Sequence, residues 1–426
     1  MTPESHQNSE LPLPVTAADI DAAAERLAGI ANRTPLQLSH RLSAATGANI
    51  LLKREDLQPV RSYKIRGAYN LISQLTDEQR AAGVICASAG NHGQGVALAC
   101  ANLGVKGMIF VPSTTPRQKR ERMLALGGEF VQLMVTGETY DDSSRAAREA
   151  ADQLGMVMVP AFDDARTIAG QGTVAREIVE QLEAAPDVVL VPVGGGGMIS
   201  GVTIWLAEHC PQTKVVGLEP SAAACMIAAM AAGEPVELES IDTFVDGAAV
   251  RKAGAIPFQI LTQHAVDLVS VPEGAICAEM LQLYQIDGII AEPAGALATA
   301  GLQLWKPEPG QTVVAILSGG NNDVSRYAEI VERALIWEGR KHYFLVQFPQ
   351  EPGALRRFLN EVLGPGDDIT HFEYVKKSNR ELGPALVGLE LASRDDYPRL
   401  RERMEQSNIQ IEVIDPHSPT YRYMIP

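Results

Sequence analysis

The 426-residue sequence predicts an α/β fold with mostly parallel sheets, followed by a smaller α+β unit. Short apolar, β-branched runs alternate with helical stretches as far as about residue 337, which is typical of parallel strands covered by helices on both faces. Beyond that point the pattern becomes strand–helix–strand–strand–helix–strand, the order of a ferredoxin-like unit. With 46% hydrophobic and 21% charged residues, the composition is that of an ordinary globular protein.

In the first unit, Thr16 can cap a helix, because Ile20, Ala23 and Leu27 follow it at helical spacing. We expect residues 1–15, which are polar and contain proline, to be a flexible tail. Further helices are predicted after Lys64 and over residues 140–154. The predicted strands are 49–53, 84–87, 107–111, 129–135, 187–193, 214–218 and 311–317.

The second unit begins where the pattern changes, near residues 335–341. We therefore divide the chain into a tail (1–15), a first unit (16–337) and a second unit (338–426). The strands predicted for the second unit are 342–348, 369–375, 385–391 and 409–414, and its helices are 353–363 and 397–406.

Composition also bears on location and partners. The net charge of −16 disfavours a broad surface for nucleic acid or anionic membrane, although one phosphate could still occupy a local pocket. The five cysteines form no CxxC pair, which argues against a zinc or dithiol redox motif and fits a reducing compartment. The N-terminus lacks a signal peptide, and the apolar run 222–232 is too short for a bilayer. We expect a soluble, cytoplasmic protein.

Three loops follow predicted strands, and ligands bind at such strand ends. The first contains Gly194, Gly195, Gly196 and Gly197, then Met198, before a helix. Glycines let backbone N–H groups converge on an anion, so the loop predicts a phosphate cup, with a tight turn as the alternative. Ser200 stands where a dinucleotide fingerprint needs glycine, and no GK[ST] sequence is present.

The other two loops are less specific by themselves. Ser88, Gly90, Asn91 and His92 lie at the start of a small-residue helix, where N–H groups suit a substrate carboxylate, although a simple capped helix fits equally well. Ser318, at the end of the strand 311–317, projects a neutral hydroxyl, but alone it reads as a turn residue.

Lys64 lies between a strand and an apolar helix, beside Tyr63 and close to Arg66. A lone lysine is usually a solvated surface charge. Here we expect burial and the positive charge of Arg66 to favour the neutral, nucleophilic amine. A lysine, a phosphate cup and a neutral hydroxyl are together what a pyridoxal phosphate enzyme requires.

In order and spacing, residues 61–68, 88–92, 194–197 and 318–321 resemble the fold-type II pyridoxal phosphate enzymes. Over residues 16–426 the chain is most similar to biosynthetic threonine dehydratases with a single C-terminal regulatory unit. The resemblance implies a catalytic unit of two subdomains, the small one inserted at roughly 58–155, with pyridoxal 5′-phosphate as cofactor.

The resemblance also implies roles for individual residues. Lys64 would bond to the cofactor and later take the Cα proton of the substrate, and Gly194–Met198 would bind the cofactor phosphate. Around the cofactor ring, Asn91 would contact the 3′ oxygen, Ser318 would contact the nitrogen, and Glu292 would lie beside the ring. Ser88, Gly90 and His92 would line the loop that binds the substrate carboxylate.

These roles imply β-elimination. A serine hydroxyl does not keep the ring nitrogen protonated, so the ring is a weaker electron sink, and loss of a β-hydroxyl is favoured over transamination. The bound phosphate could supply the proton for that leaving group. The implied reaction converts L-threonine to 2-oxobutanoate and ammonia, the committed step of isoleucine biosynthesis, and L-serine to pyruvate.

Two departures from relatives are informative. Relatives that racemise serine carry an acid/base serine where this chain has Ala89, so racemisation is not expected. Those relatives also bind a divalent metal through a glutamate matching Glu219 and an aspartate replaced here by Cys225, so we expect no metal.

Residues 350–355, between a strand and a helix of the second unit, look like part of an ACT-type domain. The resemblance implies isoleucine as a feedback inhibitor and a homotetramer, whereas a dimerisation module without a ligand is the alternative. For the whole chain, the alternatives are another reaction on the same cofactor, such as serine dehydration, β-replacement or threonine synthesis, and an inactive amino-acid sensor.

Overall fold

The structure is a computed structural model that describes residues 13–374, 382–415, 418 and 421. The chain forms two compact units, which divide between Asn322 and Asp323. The sequence placed this division after residue 337, at the far end of a helix. In that helix Glu332 accepts a hydrogen bond of 2.6 Å from Tyr343 Oη, and the helix belongs to the second unit. The structure therefore groups this helix with the second unit, and the boundary at residue 337 stays a prediction.

The first unit contains ten strands and thirteen α-helices within its described residues. The strands are β1 (Leu36–Leu38), β2 (Asn49–Arg54), β3 (Val84–Ala87), β4 (Gly107–Val111), β5 (Val131–Val135), β6 (Val157–Met158), β7 (Val188–Pro192), β8 (Lys214–Pro220), β9 (Asp267–Val271) and β10 (Thr312–Leu317). The helices are α1 (Ala17–Leu27), α2 (His40–Thr46), α3 (Lys64–Ser73), α4 (Asp77–Ala82), α5 (Asn91–Leu103), α6 (Arg117–Gly127), α7 (Tyr140–Leu154), α8 (Ala165–Leu182), α9 (Gly197–His209), α10 (Cys225–Ala232), α11 (Ala255–Gln263), α12 (Glu273–Gln285) and α13 (Pro293–Ala300).

These strands form two sheets. The larger sheet has the order β1-β2-β10-β7-β8-β9, and only the β1–β2 pair is antiparallel. The smaller sheet, β5-β4-β3-β6, is parallel throughout. The α/β class with mostly parallel sheets is thus confirmed. Its physical origin is the continuous apolar character of the strands, of which β7 is buried at every residue.

Each sheet has its own core. The core of the smaller sheet and its helices runs from Val60 to Val159, close to the segment predicted as an inserted subdomain. The core of the larger sheet includes Val15, which is 1% exposed, and Leu13 packs against it. The ordered chain therefore starts before Thr16, because these apolar side chains reach the core. Residues 1–12 of the expected flexible tail lie outside the described residues.

The second unit is an antiparallel sheet covered on one face by two helices, and its class is confirmed. Its strand order, β12-β13-β11-β14, is that of the ferredoxin-like pattern. Phe344, Val346 and Phe358 lie at the centre of its core. Val375, the last residue of a predicted strand, lies outside the described residues. The elements are α14 (Tyr327–Trp337), β11 (Lys341–Pro349), α15 (Ala354–Glu361), β12 (Asp368–Tyr374), β13 (Leu382–Glu390), α16 (Tyr397–Gln406) and β14 (Gln410–Ile414).

Within the described ranges, no helix has the length and apolar character that a membrane crossing requires.

Candidate active site

The loop that carries Lys64 is held by the loop that follows β10. Because β2 and β10 are parallel neighbours, the loops at their carboxyl ends meet. Tyr63 N donates to Ser318 O at 3.2 Å, and Gly320 N donates to Arg61 O at 2.9 Å. Ser62 and Gly319 form an antiparallel bridge between these bonds. The backbone directly before the predicted nucleophile is therefore fixed.

The amine of Lys64 points inward. Lys64 is the first residue of α3, is half-buried, and donates from Nζ to Ala161 O at 3.2 Å. Its Nζ also lies 5.0 Å from the centre of the Tyr63 ring.

Arg66 has carboxylate partners of its own. Its guanidinium is bonded to the carboxylates of Glu55, at 2.8 Å, and Glu177, at 2.7 Å. An arginine buried this deeply requires ionic partners, and these carboxylates compensate its charge. The contacts of Arg66 therefore give no support to its expected effect on the lysine amine.

Helix α5 approaches the lysine closely and presents its amino end to the site. A Cβ at Gly95 would lie 3.0 Å from the carbonyl of Lys64, so this close approach favours glycine. Gly90 precedes the helix, and its N–H donates to Ser88 Oγ at 3.3 Å. The N–H groups of the first helical turn have no partner within the helix, which makes this end suitable for a carboxylate.

The side chain of His92 is held by the segment that follows β6. Its Nε2 lies 2.7 Å from Val159 O, which can only accept, so Nε2 carries the proton. Burial lowers the pKa of His92 to about 4, helped by the nearby charge of Lys64. The imidazole is therefore neutral near pH 7, and contact with a carboxylate would be through the backbone N–H.

Asn91 is fixed by two partners from the other side of the cleft. Its Nδ2 donates to Glu292 Oε1 at 2.6 Å, and its Oδ1 accepts from Asn321 Nδ2 at 2.7 Å. Burial raises the pKa of Glu292 to about 7, and the charge of Asp246 adds to this effect. The bond from Asn91 opposes the shift. Asn91 and Glu292, predicted separately, are thus in direct contact.

Ser318 is buried, and its Oγ donates to Ala294 O at 3.1 Å. A hydroxyl hydrogen can rotate, so Ser318 can turn from this carbonyl and donate to another acceptor. Ala294 lies in the helix that follows Glu292, so the third predicted loop is also connected to the acidic residue.

The loop of residues 194–197, called the glycine cup below, has the form expected of an anion site. Gly196 has a φ of +95°, and a Cβ there would lie 2.6 Å from both Met226 and Pro257. At Gly195 a Cβ would lie 2.3 Å from the ring of Phe162. Within the described chain, the N–H groups of residues 194–198 donate to no protein acceptor. These free donors at the start of α9 fit a phosphate.

The glycine cup and Lys64 are connected through one short segment. Ala161, which accepts from Lys64, directly precedes Phe162, whose ring covers Gly195. Gln171 Nε2 donates to the same Ala161 carbonyl at 3.0 Å. Sequence reasoning missed Ala161, Phe162 and Gln171, because a carbonyl, a ring and a helical amide at these positions carry no local signal.

Glu219 is occupied as a helix cap. It accepts from the N–H groups of Met226, at 2.8 Å, and Ile227, at 2.7 Å, in the first turn of α10. Burial raises its pKa to about 7 although these bonds oppose the shift. Cys225 Sγ is directed to Gly194 O at 3.6 Å. Across the described residues, no three His, Cys, Asp or Glu side chains are grouped as metal ligands.

Comparison with known proteins agrees with this geometry. Residues 27–319 match the family described as pyridoxal-phosphate dependent enzyme, so the fold and the match define an enzyme of that class. Residues 332–424 match the C-terminal regulatory domain of threonine dehydratase. A biosynthetic L-threonine dehydratase of Mycobacterium tuberculosis is 59% identical over 96% of each chain. The chain belongs to the family of biosynthetic threonine dehydratases.

Two solved structures are similar to this chain in fold. The processed form of threonine deaminase isoform 2 from Solanum lycopersicum has a TM-score of 0.68 and 37% identity, over 78% of this chain and 99% of that one. A maize serine racemase has a TM-score of 0.69 and 30% identity, over 76% of this chain and 98% of that one.

Proposed function

We propose that this protein converts L-threonine to 2-oxobutanoate and ammonia, and L-serine to pyruvate and ammonia. The observation that carries the proposal is the position of the Lys64 amine. It donates a hydrogen bond to Ala161 O, and the next residue, Phe162, covers the glycine cup. In the reaction the β-hydroxyl leaves as water, and a later hydrolysis consumes one water and releases ammonia.

The residues fit pyridoxal phosphate. The free N–H groups of residues 194–198 would hold its phosphate, and Lys64 would bond to its aldehyde. Asn91 would contact the ring oxygen, and the hydroxyl of Ser318 would turn from Ala294 O and donate to the unprotonated ring nitrogen. When bound, the cofactor withdraws electrons from the Cα of an attached amino acid.

The chain itself would orient the substrate and move its proton. The amino end of α5, from Ser88 to His92, would bind the substrate carboxylate through N–H groups. Lys64 would remove the Cα proton once its amine is free. Ala89 has no group that transfers a proton, which favours elimination over racemisation. Glu292 would fix Asn91 beside the ring.

We also propose that isoleucine inhibits the enzyme by binding to the second unit. Gly353, just before α15, has a φ of +88° and open space where a Cβ would lie, so an effector could approach the backbone there. We also propose a homotetramer and a cytoplasmic location. Both proposals rest on the family to which the chain belongs.

The direct test is an assay of ammonia and keto-acid release from threonine and serine, with and without isoleucine. We expect a yellow protein that is active on both substrates and inhibited by isoleucine. Lys64→Ala should lose the activity, whereas the exposed-lysine control Lys306→Ala should retain it. A colourless wild type with full activity would contradict the proposal, and thioether formation from serine without ammonia release would indicate β-replacement.

A further inference from the structure

Gln171 is a buried amide whose orientation is fixed. It lies in α8, is 1% exposed, and donates from Nε2 to Ala161 O at 3.0 Å. The same carbonyl accepts from Lys64 Nζ at 3.2 Å. Because a carbonyl oxygen only accepts, the amide nitrogen must face Ala161, and the amide oxygen must point the other way.

The amide oxygen of Gln171 has no donor within the described part of the chain. It lies 2.6 Å from the position that a Cβ on Gly197 would occupy, at the last glycine of the cup. A buried acceptor without a partner costs about 1–3 kcal/mol. The structure therefore places an unsatisfied acceptor beside a set of donors arranged for an anion.

A fully ionised phosphate has only acceptor oxygens and would be repelled by this amide oxygen. A singly protonated phosphate has one O–H group, which can satisfy the amide oxygen while its other oxygens accept from the backbone. The glycine cup thus offers neutral N–H donors together with one acceptor, and this combination favours the protonated form.

Charged and titratable groups near the glycine cup are otherwise engaged. From α3, Lys64 donates to Ala161 O. From α10, Cys225 faces Gly194 O, and burial raises the pKa of its thiol to about 12. Asp163, beside Phe162, accepts from the N–H groups of Ala255 and Ile256.

We propose that the amide oxygen of Gln171 accepts a hydrogen bond from a protonated oxygen of the cofactor phosphate and so holds that phosphate as a singly charged anion. The inference rests on the proposed function, because it requires pyridoxal phosphate in the glycine cup. Its consequence is that a proton is kept at the phosphate, available to a departing hydroxyl group. Gln171 is then a positioning residue for a proton and not a catalytic residue.

The test is the ³¹P NMR resonance of the bound cofactor between pH 5 and pH 8.5. A free phosphate monoester loses its second proton near pH 6. In the wild-type holoenzyme we expect the resonance to stay at the singly charged position up to pH 8.5. In Gln171→Met, which keeps the side-chain length but has no amide oxygen, it should move to the doubly charged position. We expect kcat to fall about tenfold or more.

Gln285→Met, at an exposed position at the end of α12, is the matched control and should leave the resonance unchanged. A wild-type resonance at the doubly charged position above pH 7 would overturn the inference, as would an unshifted resonance in Gln171→Met. If that variant does not fold, Gln171→Leu replaces it, and the wild-type resonance is decisive by itself. Lack of any bound phosphorus signal in the wild type would instead count against the proposed function.

Discussion

At the scale of single residues, the site depends on groups whose ordinary behaviour is changed by burial. Lys64 is held by a carbonyl from a distant segment, and Asn91 by a carboxyl that burial makes hard to ionise. Gly196 adopts a left-handed conformation in a space where no side chain fits. Each of these residues can be tested separately.

Gly196→Ala should weaken cofactor binding, because the new methyl group would meet Met226 and Pro257 at 2.6 Å and distort the glycine cup. The measurement is a titration of apoenzyme with pyridoxal phosphate, followed by visible absorbance. Gly233→Ala is the matched control: Gly233 has a φ of +78° with open space around it, so the variant carries the backbone strain, about 1–2 kcal/mol, without the clash. Equal affinities in the two variants would contradict the role of the cup.

Glu292 should make the protein less stable as the pH rises. Burial raises its pKa to about 7 from the ordinary 4.5, so between these values the folded state holds a proton that the unfolded chain has lost. The free energy of unfolding must then fall as the pH rises through this range. Glu292→Gln cannot ionise, and should reduce the fall by up to about 3 kcal/mol.

Urea denaturation at pH 5 and pH 8 measures this difference for the wild type and Glu292→Gln. The exposed control Glu129→Gln should behave like the wild type. If the wild type were more stable at pH 8 than at pH 5, and Glu292→Gln showed the same pH dependence, Glu292 would ionise normally.

At the scale of elements, the site lies where the ends of neighbouring strands meet. A buried ionic network joins the elements that carry the site. Lys53 of β2, Arg66 of α3 and Glu177 of α8 are joined with Glu55 in this network. It links the strand before the lysine loop to the helices that carry Lys64 and Gln171. Its carboxylates and cations are equal in number, which is why such groups can be buried.

Glu55→Gln should destabilise the protein by about 3–5 kcal/mol, because Arg66 would remain buried with one ionic partner fewer. Glu55 is fully buried and accepts from Arg66 and from Thr34 Oγ1, the latter at 2.6 Å. Chemical denaturation measures the effect. Glu121→Gln, which removes an exposed pair with Arg117, is the control and should cost less than about 1 kcal/mol. Similar losses in both variants would mean that the network is not a stabilising unit.

The sequence predicted the elements better than the contacts between them. The bounds of β3, β4, α7 and α16 agree with those predicted, because hydrophobic periodicity and terminal glycines are local signals. The partners of Lys64 and Asn91 were not predicted, since Ala161 and Asn321 are brought to them by the sheet topology. The ionic partners of Arg66 were not predicted either, since Glu177 lies in a helix far along the sequence.

At the scale of the whole molecule, two compact units divide between Asn322 and Asp323. Helix α14 belongs to the second unit. Its Glu332 accepts a hydrogen bond from Tyr343 and forms a salt bridge with Lys341, both in β11. A catalytic fragment should therefore end before α14.

A chain ending at Asn322 should retain some threonine deamination and lose inhibition by isoleucine. A chain ending at Trp337 should be less soluble, because α14 would be exposed without β11. Deamination assays with increasing isoleucine, together with gel filtration, measure both effects. Inhibition that persists in the shorter chain would place the effector site in the first unit.

The most direct test of the account is borohydride reduction of the purified holoenzyme, followed by mass mapping of its peptides. The account predicts a single modified residue, Lys64, whose mass is increased by the reduced cofactor, together with loss of the visible absorbance band. Modification of another lysine, or none, would show that the amine bonded to Ala161 O is not the nucleophile.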